Sequence, residues 1–323
     1  MDKSTNFFGI DISKDVFDVM DMKNNHYQFL NNSIGFKDFA KILDENSHCV
    51  MEATAYYYSQ LAYFLVDKNI KVSVENPIAV KRFIQMKLSK IKTDKSDAKM
   101  ICLYAQNVDL KLWTGNSKNQ IECLQITRLL NVYIKQSTAL KNKIHGEQAL
   151  GNPSPAVVRS LNRNLKQNKN EQLVLEKKLT ELVKQEHQQL LTLLESIPGL
   201  GRKTSIMLII ITDGFNRFDS ASGLCSFSGL TPIIRKSGTS VNGKPRISKM
   251  GNQRLRNLLF MCSFTACIHN KACKDIFDRI TNKGKCKKLA LMAVCNKLIK
   301  QAFAVAKSGI PYDENYRSRL VVK

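Results

Sequence analysis

The sequence predicts an α/β domain built on a mixed sheet, then a helical spacer, then a mainly α-helical C-terminal domain. Three observations predict it. Short β-like runs alternate with helical runs over residues 1–115. Apolar residues at spacings of three and four dominate residues 116–195. Charge then divides the chain: residues 1–115 carry 15 Lys+Arg against 14 Asp+Glu, a net of +1, whereas residues 116–323 carry 35 against 13, a net of +22. A near-neutral part joined to a strongly basic part fits a chemistry module attached to a module that grips a polyanion. Nucleic acid is the expected partner.

Three β-like runs open the chain, Asn6–Ile12, Val16–Met22 and His26–Leu30, with polar gaps of hairpin size at Ser13-Lys14-Asp15 and Lys23-Asn24-Asn25. Asn32 and Ser33 are helix-capping residues, after which Phe36, Phe39, Ala40 and Leu43 recur at helical spacing. His48–Met51 reads as a strand ending at Glu52, Tyr56–Val66 as a helix, and Ile70–Val74 as a strand. Pro77 opens a further helix, at the position where a missing N–H costs least. The predicted order β-β-β-α-β-α-β-α ends on the helix that carries Lys92-Thr93-Asp94-Lys95-Ser96-Asp97-Ala98. It is the RNase H-like order, in which the first and fourth strands lie side by side at the centre of the sheet.

That order gives the carboxylates a meaning. Asp94 and Asp97 stand at i and i+3 and share one helix face. Lys92, Lys95 and Lys99 surround them, as suits a polyanionic substrate. An acidic first turn also complements the helix dipole, which is reason enough for an isolated pair. In the RNase H-like order, however, Asp11 near the end of strand one and Glu52 at the end of strand four become neighbours, with the final helix over them. Like charges at close range oppose one another's ionisation, so four carboxylates sharing a small site need cations. Oxygen-only ligands favour Mg²⁺ or Mn²⁺. Two such ions about 4 Å apart can clamp the attacking and leaving oxygens of a phosphodiester. The alternative is an assortment of unrelated strand-end acids.

Length and composition bound the rest. The 323 residues leave room for two domains and a spacer. Nine cysteines without paired spacing fit a reduced, cytoplasmic, nucleoid-associated protein. The chain has no run of 18 apolar residues and no basic-then-apolar start, so neither a membrane span nor a signal peptide is expected. Cys262, Cys267, His269 and Cys273 match no standard zinc-finger spacing. Asn257–Ile268 reads as a buried apolar helix and Ala290–Val305 as an amphipathic one.

In the middle, Cys123, Ile126, Leu130, Tyr133, Ser137, Leu140 and Ile144 keep helical spacing, as do, less cleanly, Leu175, Leu179, Leu182, Glu186, Gln189 and Leu193, with Gly151-Asn152-Pro153-Ser154-Pro155 breaking the pattern between them. Two long helices joined by a turn make an antiparallel hairpin or a dimerising coiled coil.

From Ser196 onward the basic residues gather into candidate contacts. Gly199 and Gly201 bound a turn that feeds Arg202 and Lys203 into a helix, an arrangement resembling the helix-hairpin-helix that cradles backbone phosphate. A long polar stretch, residues 235–251, then carries Arg235, Lys236, Lys244, Arg246 and Lys249, with Arg254 and Arg256 on the next helix. Serines among these cations either hydrogen-bond to phosphates or attack one. The residues by themselves favour the first, since serine is a weak nucleophile without activation.

Together these segments resemble the DEDD transposases of insertion sequences, the Piv/MooV family of bridge-RNA-guided recombinases. At the front the resemblance rests on Gly9-Ile10-Asp11-Ile12-Ser13-Lys14, Met51-Glu52-Ala53-Thr54 and the Asp94–Asp97 segment. At the back it rests on Ile197-Pro198-Gly199-Leu200-Gly201, Phe227-Ser228-Gly229-Leu230-Thr231-Pro232, Lys236-Ser237-Gly238 and Ile247-Ser248-Lys249-Met250-Gly251-Asn252. Any one of these is common; all in this order is specific. The resemblance implies a RuvC-like catalytic domain (residues 1–115), a coiled coil (116–195) and a C-terminal transposase domain (196–323). It implies that Asp11, Glu52, Asp94 and Asp97 bind Mg²⁺ or Mn²⁺. It also implies a serine that links covalently to DNA, matched here to Ser237 with Ser240 and Ser248 as fallbacks. A homo-oligomer and a noncoding guide RNA are the further partners it implies. The rival activities are a RuvC-like structure-selective endonuclease that activates water, and a non-catalytic nucleic-acid scaffold.

Overall fold

The computed structural model describes residues 5–88, 93–234, 236–237, 241–243, 246–248 and 250–315. The chain forms two compact units, residues 1–116 and 117–323.

The first unit is a mixed sheet with helices on both faces. Its strands are β1 (Asn6–Ile12), β2 (Val16–Met20), β3 (His26–Leu30), β4 (Ser47–Glu52) and β5 (Lys71–Glu75), in spatial order β3-β2-β1-β4-β5. β1 runs antiparallel to β2 and parallel to β4, so β1 and β4 share the middle of the sheet. Side chains alternate across each strand. Phe8, Ile10 and Ile12 of β1 join Phe17, Met51 and Val72 on one face. They are covered there by Phe36 and Phe39 of α1 (Ser33–Ala40) and by Leu61 and Leu65 of α2 (Tyr57–Asp67). Asn32 caps α1 by accepting from the N–H groups of Ile34 and Gly35.

The opposite face is covered by α4 (Asp94–Asn107), whose Ala98 and Cys102 pack with Met20 and Phe7, and whose Ile101 packs with Val50. Gly9 makes this contact possible. A Cβ there would collide with the backbone N of Cys102 and the carbonyl of Ala98. The sequence order shows one helix after the fifth strand, but the structure has two, α3 (Pro77–Met86) and α4. Pro77 starts the first, and a fresh capping box at Thr93 and Ser96 starts the second. β2 also stops at Met20, short of the expected Met22, where Asp21 turns the chain by accepting from the N–H groups of Lys23 and Asn25.

In the second unit α5 (Lys118–Ala149) and α6 (Pro155–Glu195) run antiparallel, tied by Asn119 Nδ2 to the Leu182 carbonyl at 3.1 Å and Gln172 Nε2 to Ser137 Oγ at 2.8 Å. Cys123, Leu130, Leu179 and Leu194 near their paired ends sink into the same core as α7 (Arg202–Thr212), in which every residue from Thr204 to Thr212 is buried. After α8 (Ala221–Phe227), short strands form in and just before the polar stretch 235–251: β6 (Pro232–Ile233) pairs with β9 (Arg246–Ile247), and β7 (Lys236–Ser237) with β8 (Val241–Asn242).

α9 (Gln253–His269), α10 (Lys271–Thr281) and α11 (Lys287–Ser308) complete the unit. α9 is not the buried helix expected over Asn257–Ile268. It buries only the stripe Leu255, Leu259, Ser263 and Ala266, and leaves Met261 and Ile268 exposed, because a single core touches one helix face. By length and composition alone α11 could cross a membrane, although Lys297 and Lys300 interrupt its apolar run. Its Val294, Leu298, Ile299 and Ala302 are fully buried in the core of this unit.

Candidate functional site

Sheet register brings the first two acids together. Ile10 of β1 pairs with Met51 of β4, so Asp11 and Glu52 come next on adjacent parallel strands. Both alternate with residues facing α1 and α2, and so stand on the face that α4 covers. α4 supplies the other two from its start: Asp94 is its first residue and Asp97 lies one turn on, directly before Ala98 in the Gly9 contact. The capping box fixes that turn, with Thr93 Oγ1 accepting from Ser96 N–H at 3.1 Å and Ser96 Oγ accepting from Thr93 N–H at 2.9 Å.

The electrostatics record the convergence. The Asp11 carboxyl is pushed up to about 6, first by burial and then by the charges of Asp97, Asp94, Glu52 and Asp18. Burial also raises Glu52, partly offset by a hydrogen bond from Thr54 Oγ1 at 3.3 Å, with Asp97 adding to the rise. Among the described residues, no three metal-ligating side chains lie close enough to hold an ion as they stand. The donor set is nevertheless all carboxylate, and its mutual repulsion is of the kind that a hard divalent cation relieves.

Two further acids share the row. Asp11 faces Asp18 on β2, and Glu52 faces Glu75 on β5. Asp18 is only 4% exposed and accepts from His26 Nε2 at 2.7 Å, with Gln28 Nε2 at 3.3 Å. Glu75 accepts from Tyr104 Oη of α4 at 3.0 Å, which ties the covering helix to the sheet edge. Motif spacing missed both residues. The signal was an acid at the mirror position of Asp11 across a tight hairpin, where a half-buried strand ordinarily carries an apolar or neutral residue.

The second-unit candidates are engaged differently. Gly199 adopts φ +93°, and a Cβ on it would lie 2.6 Å from Cα of Ala266, so this glycine serves close helix packing. Gly201 is the cap residue of α7. Arg202 grips Glu195 through Nε at 2.6 Å and Nη2 at 3.3 Å, and Lys203 reaches Glu176 at 2.7 Å. Arg254, half-buried, donates to the Thr127 carbonyl at 2.7 Å, and Arg256 donates to that of Ser228 at 3.0 Å. Arg246 is exposed in β9. Ser237 is exposed on β7, paired in register with Val241. Ser248 Oγ donates to the Met250 carbonyl at 3.3 Å. Arg235, Lys244, Lys249 and the fallback Ser240 lie outside the described residues, as does the side chain of Lys236.

Comparison with known proteins is consistent along the chain. Residues 191–278 match the family model described as transposase IS116/IS110/IS902, and residues 8–149 match a DEDD transposase model of the IS110 type. The pilin gene-inverting protein of Moraxella lacunata is 28% identical over 324 residues, covering 96% of this chain and 98% of that protein; its Moraxella bovis counterpart gives the same values. An uncharacterized 43.6 kDa protein of insertion element IS110 from Streptomyces coelicolor is 30% identical over 120 residues, 37% of this chain and 29% of its own length. Matched at both ends by transposase models and along nearly all its length by DNA-inverting relatives, the chain belongs to the IS110-family DEDD transposases.

Proposed function

We propose that this transposase cuts and exchanges DNA strands with a divalent-metal site made by Asp11, Glu52, Asp94 and Asp97 of an RNase H-like (RuvC-like) domain, residues 1–115. One observation carries the reading: adjacent parallel strands carry Asp11 and Glu52 at or next to their ends, on the face that α4 covers. Bound Mg²⁺ or Mn²⁺ would polarise the scissile phosphodiester and offset the charge of the four carboxylates. Asp97 contributes from the helix and the two strand residues from the sheet floor, so the donors approach from two directions.

Ser237, in the C-terminal transposase domain (196–323), is the proposed nucleophile. Its Oγ attacks phosphorus as one P–O bond of the strand breaks, the departing oxygen taking up a proton while the serine gives one to solvent. The phosphodiester is conserved in a phosphoserine link, and a hydroxyl of a second strand can reverse the step. Support comes from the exposure of Ser237 on a short strand pair and from the surrounding cations. The helical hairpin (116–195) is proposed to pair subunits, so that acids of one subunit serve the serine of another. A noncoding guide RNA is the proposed source of target choice. The name of the Moraxella relatives points to segment inversion as a second outcome of the same strand exchange.

A suicide substrate that traps the adduct tests the chemistry. Mass spectrometry should place a nucleotide remnant on Ser237, and Ser237→Ala should bind DNA without forming it. A remnant on Ser248 or Ser240 would move the nucleophile, and cleavage without any adduct would favour a water-using endonuclease.

A further inference from the structure

We propose that Gly229, Gly251 and Arg256 form a clasp that aims the ribbon carrying Ser237, which makes Arg256 a positioning residue for strand exchange and not a DNA contact. This rests on the reading of Ser237 as the nucleophile. The ribbon's own pairing holds it weakly. Each of β6, β7, β8 and β9 is two residues long, and so short a strand pair is at best marginally stable alone. Pro232, Ile233 and Ile234 along it are exposed. The direction of Ser237 is therefore set where the ribbon leaves the helices, at residues 227–231 and 248–252.

One side of that base is the end of α8. Gly229 takes φ +68°. Its N–H donates to the Ser226 carbonyl at 2.8 Å, and that of Leu230 to the Cys225 carbonyl at 3.1 Å. This is the Schellman arrangement, in which a glycine turns the chain out of a helix. Leu230 is buried in the core, so the turn is anchored before β6 begins.

The other side is the start of α9. Gly251 takes φ +129°, and Asn252, the cap of α9, donates its N–H to the Phe227 carbonyl at 3.1 Å. The Ser248 N–H donates to the Thr231 carbonyl at 3.0 Å and closes the first rung of the ribbon. The glycines admit each other's backbone. A Cβ on Gly251 would collide with the Phe227 carbonyl oxygen, and one on Gly229 would lie 2.5 Å from that of Met250.

Arg256 locks the two sides. From one turn into α9, its Nη1 donates at 3.0 Å to the carbonyl of Ser228, the C-cap residue of α8. A cation at the last carbonyls of a helix also complements the helix dipole. A Cβ on Gly229 would stand 2.6 Å from the same Nη1, so the guanidinium occupies the space that this glycine leaves. Attack on phosphorus needs a set approach, and misplacement by about 1 Å can cost about 10²-fold in rate.

The test uses the full chain with saturating DNA and Mg²⁺, and follows adduct formation on a suicide substrate in a single turnover. Arg256→Met keeps the stem and loses the donor. Its rate constant should fall about 10- to 100-fold, with DNA affinity and its salt slope unchanged. Arg256→Lys keeps a donor that can reach the Ser228 carbonyl and should recover most of the rate. A merely structural arginine would act otherwise, because loss of folded protein lowers the amplitude and leaves the rate constant alone. An unchanged rate constant in Arg256→Met, a salt slope lower by about one phosphate, or no recovery in Arg256→Lys would overturn the proposal. Ser237→Ala, run alongside, keeps the two readings apart. A normal adduct from it removes the nucleophile assignment and the clasp's role together, whereas its failure beside an unimpaired Arg256→Met removes the clasp alone.

Discussion

The two units hold their candidate groups in opposite ways. The first, with a net charge of +1, concentrates acids on one sheet face, where backbone register decides which of them meet. Asp11, Glu52, Asp18 and Glu75 are neighbours because their strands pair, and no side chain chose the arrangement. The second, with a net charge of +22, spreads its cations along helices and ties several to its own acceptors: Arg202 to Glu195, Lys203 to Glu176, Arg254 to a carbonyl. Charge count therefore forecasts the class of partner. Register and packing decide which residues are placed to act on it.

The comparison breaks most sharply at the acids. Asp97→Asn or Glu52→Gln should lower recombination about 10³-fold or more, since the proposed metal site would supply several kcal/mol of transition-state stabilisation. DNA affinity should stay within about twofold because the basic unit supplies the grip. Filter binding beside a recombination assay, repeated with EDTA for the parent protein, measures both. Recombination near normal in Mg²⁺ would remove these residues from the mechanism.

Next in size is the contact that aims α4. Gly9→Ala drives a Cβ into the backbone of Ala98 and Cys102, and overpacking of this kind costs about 1–3 kcal/mol. Urea unfolding should show the loss, and recombination should fall as Asp94 and Asp97 are displaced. A variant as stable and active as the parent would mean that α4 is free to shift.

Removing the repulsion should have the reverse effect on stability. The folded Asp11 carboxyl, at about 6, lies above its ordinary value of 3.8. A raised carboxyl contributes stability that is full below about 3.8 and is lost as pH rises through about 6. In EDTA, Asp11→Asn should therefore be more stable than the parent at pH 7.5 by about 1–2 kcal/mol, a figure discounted for partial exposure. At pH 4 the two should converge. A gap that widens on acidification would contradict the electrostatic account.

The smallest effect is expected at the exposed pairs of the basic unit. Arg202→Ala should leave stability essentially unchanged, because an exposed ion pair contributes little. It should still weaken binding to all DNA sequences alike and flatten the salt dependence. Loss confined to one sequence would show that this turn reads bases.

Local sequence determined much of the first unit. Alternating apolar residues placed β1 at Asn6–Ile12 and β3 at His26–Leu30, and the Thr93–Asp97 segment carries its own helix start, because period, capping and turn chemistry act within a few residues. The +22 charge of the rest was equally plain as composition. Tertiary structure alone decided that Glu52 comes beside Asp11 and that Tyr104 ties Glu75 to α4, since these contacts join strands and helices distant in sequence. It also decided that Gly199 makes room for α9, and that Thr127 keeps an unanswered hydroxyl beside Arg254, 127 positions away in the chain. A glycine looks the same in sequence whether it frees a loop or admits a helix. Only the atoms packed against it tell these apart.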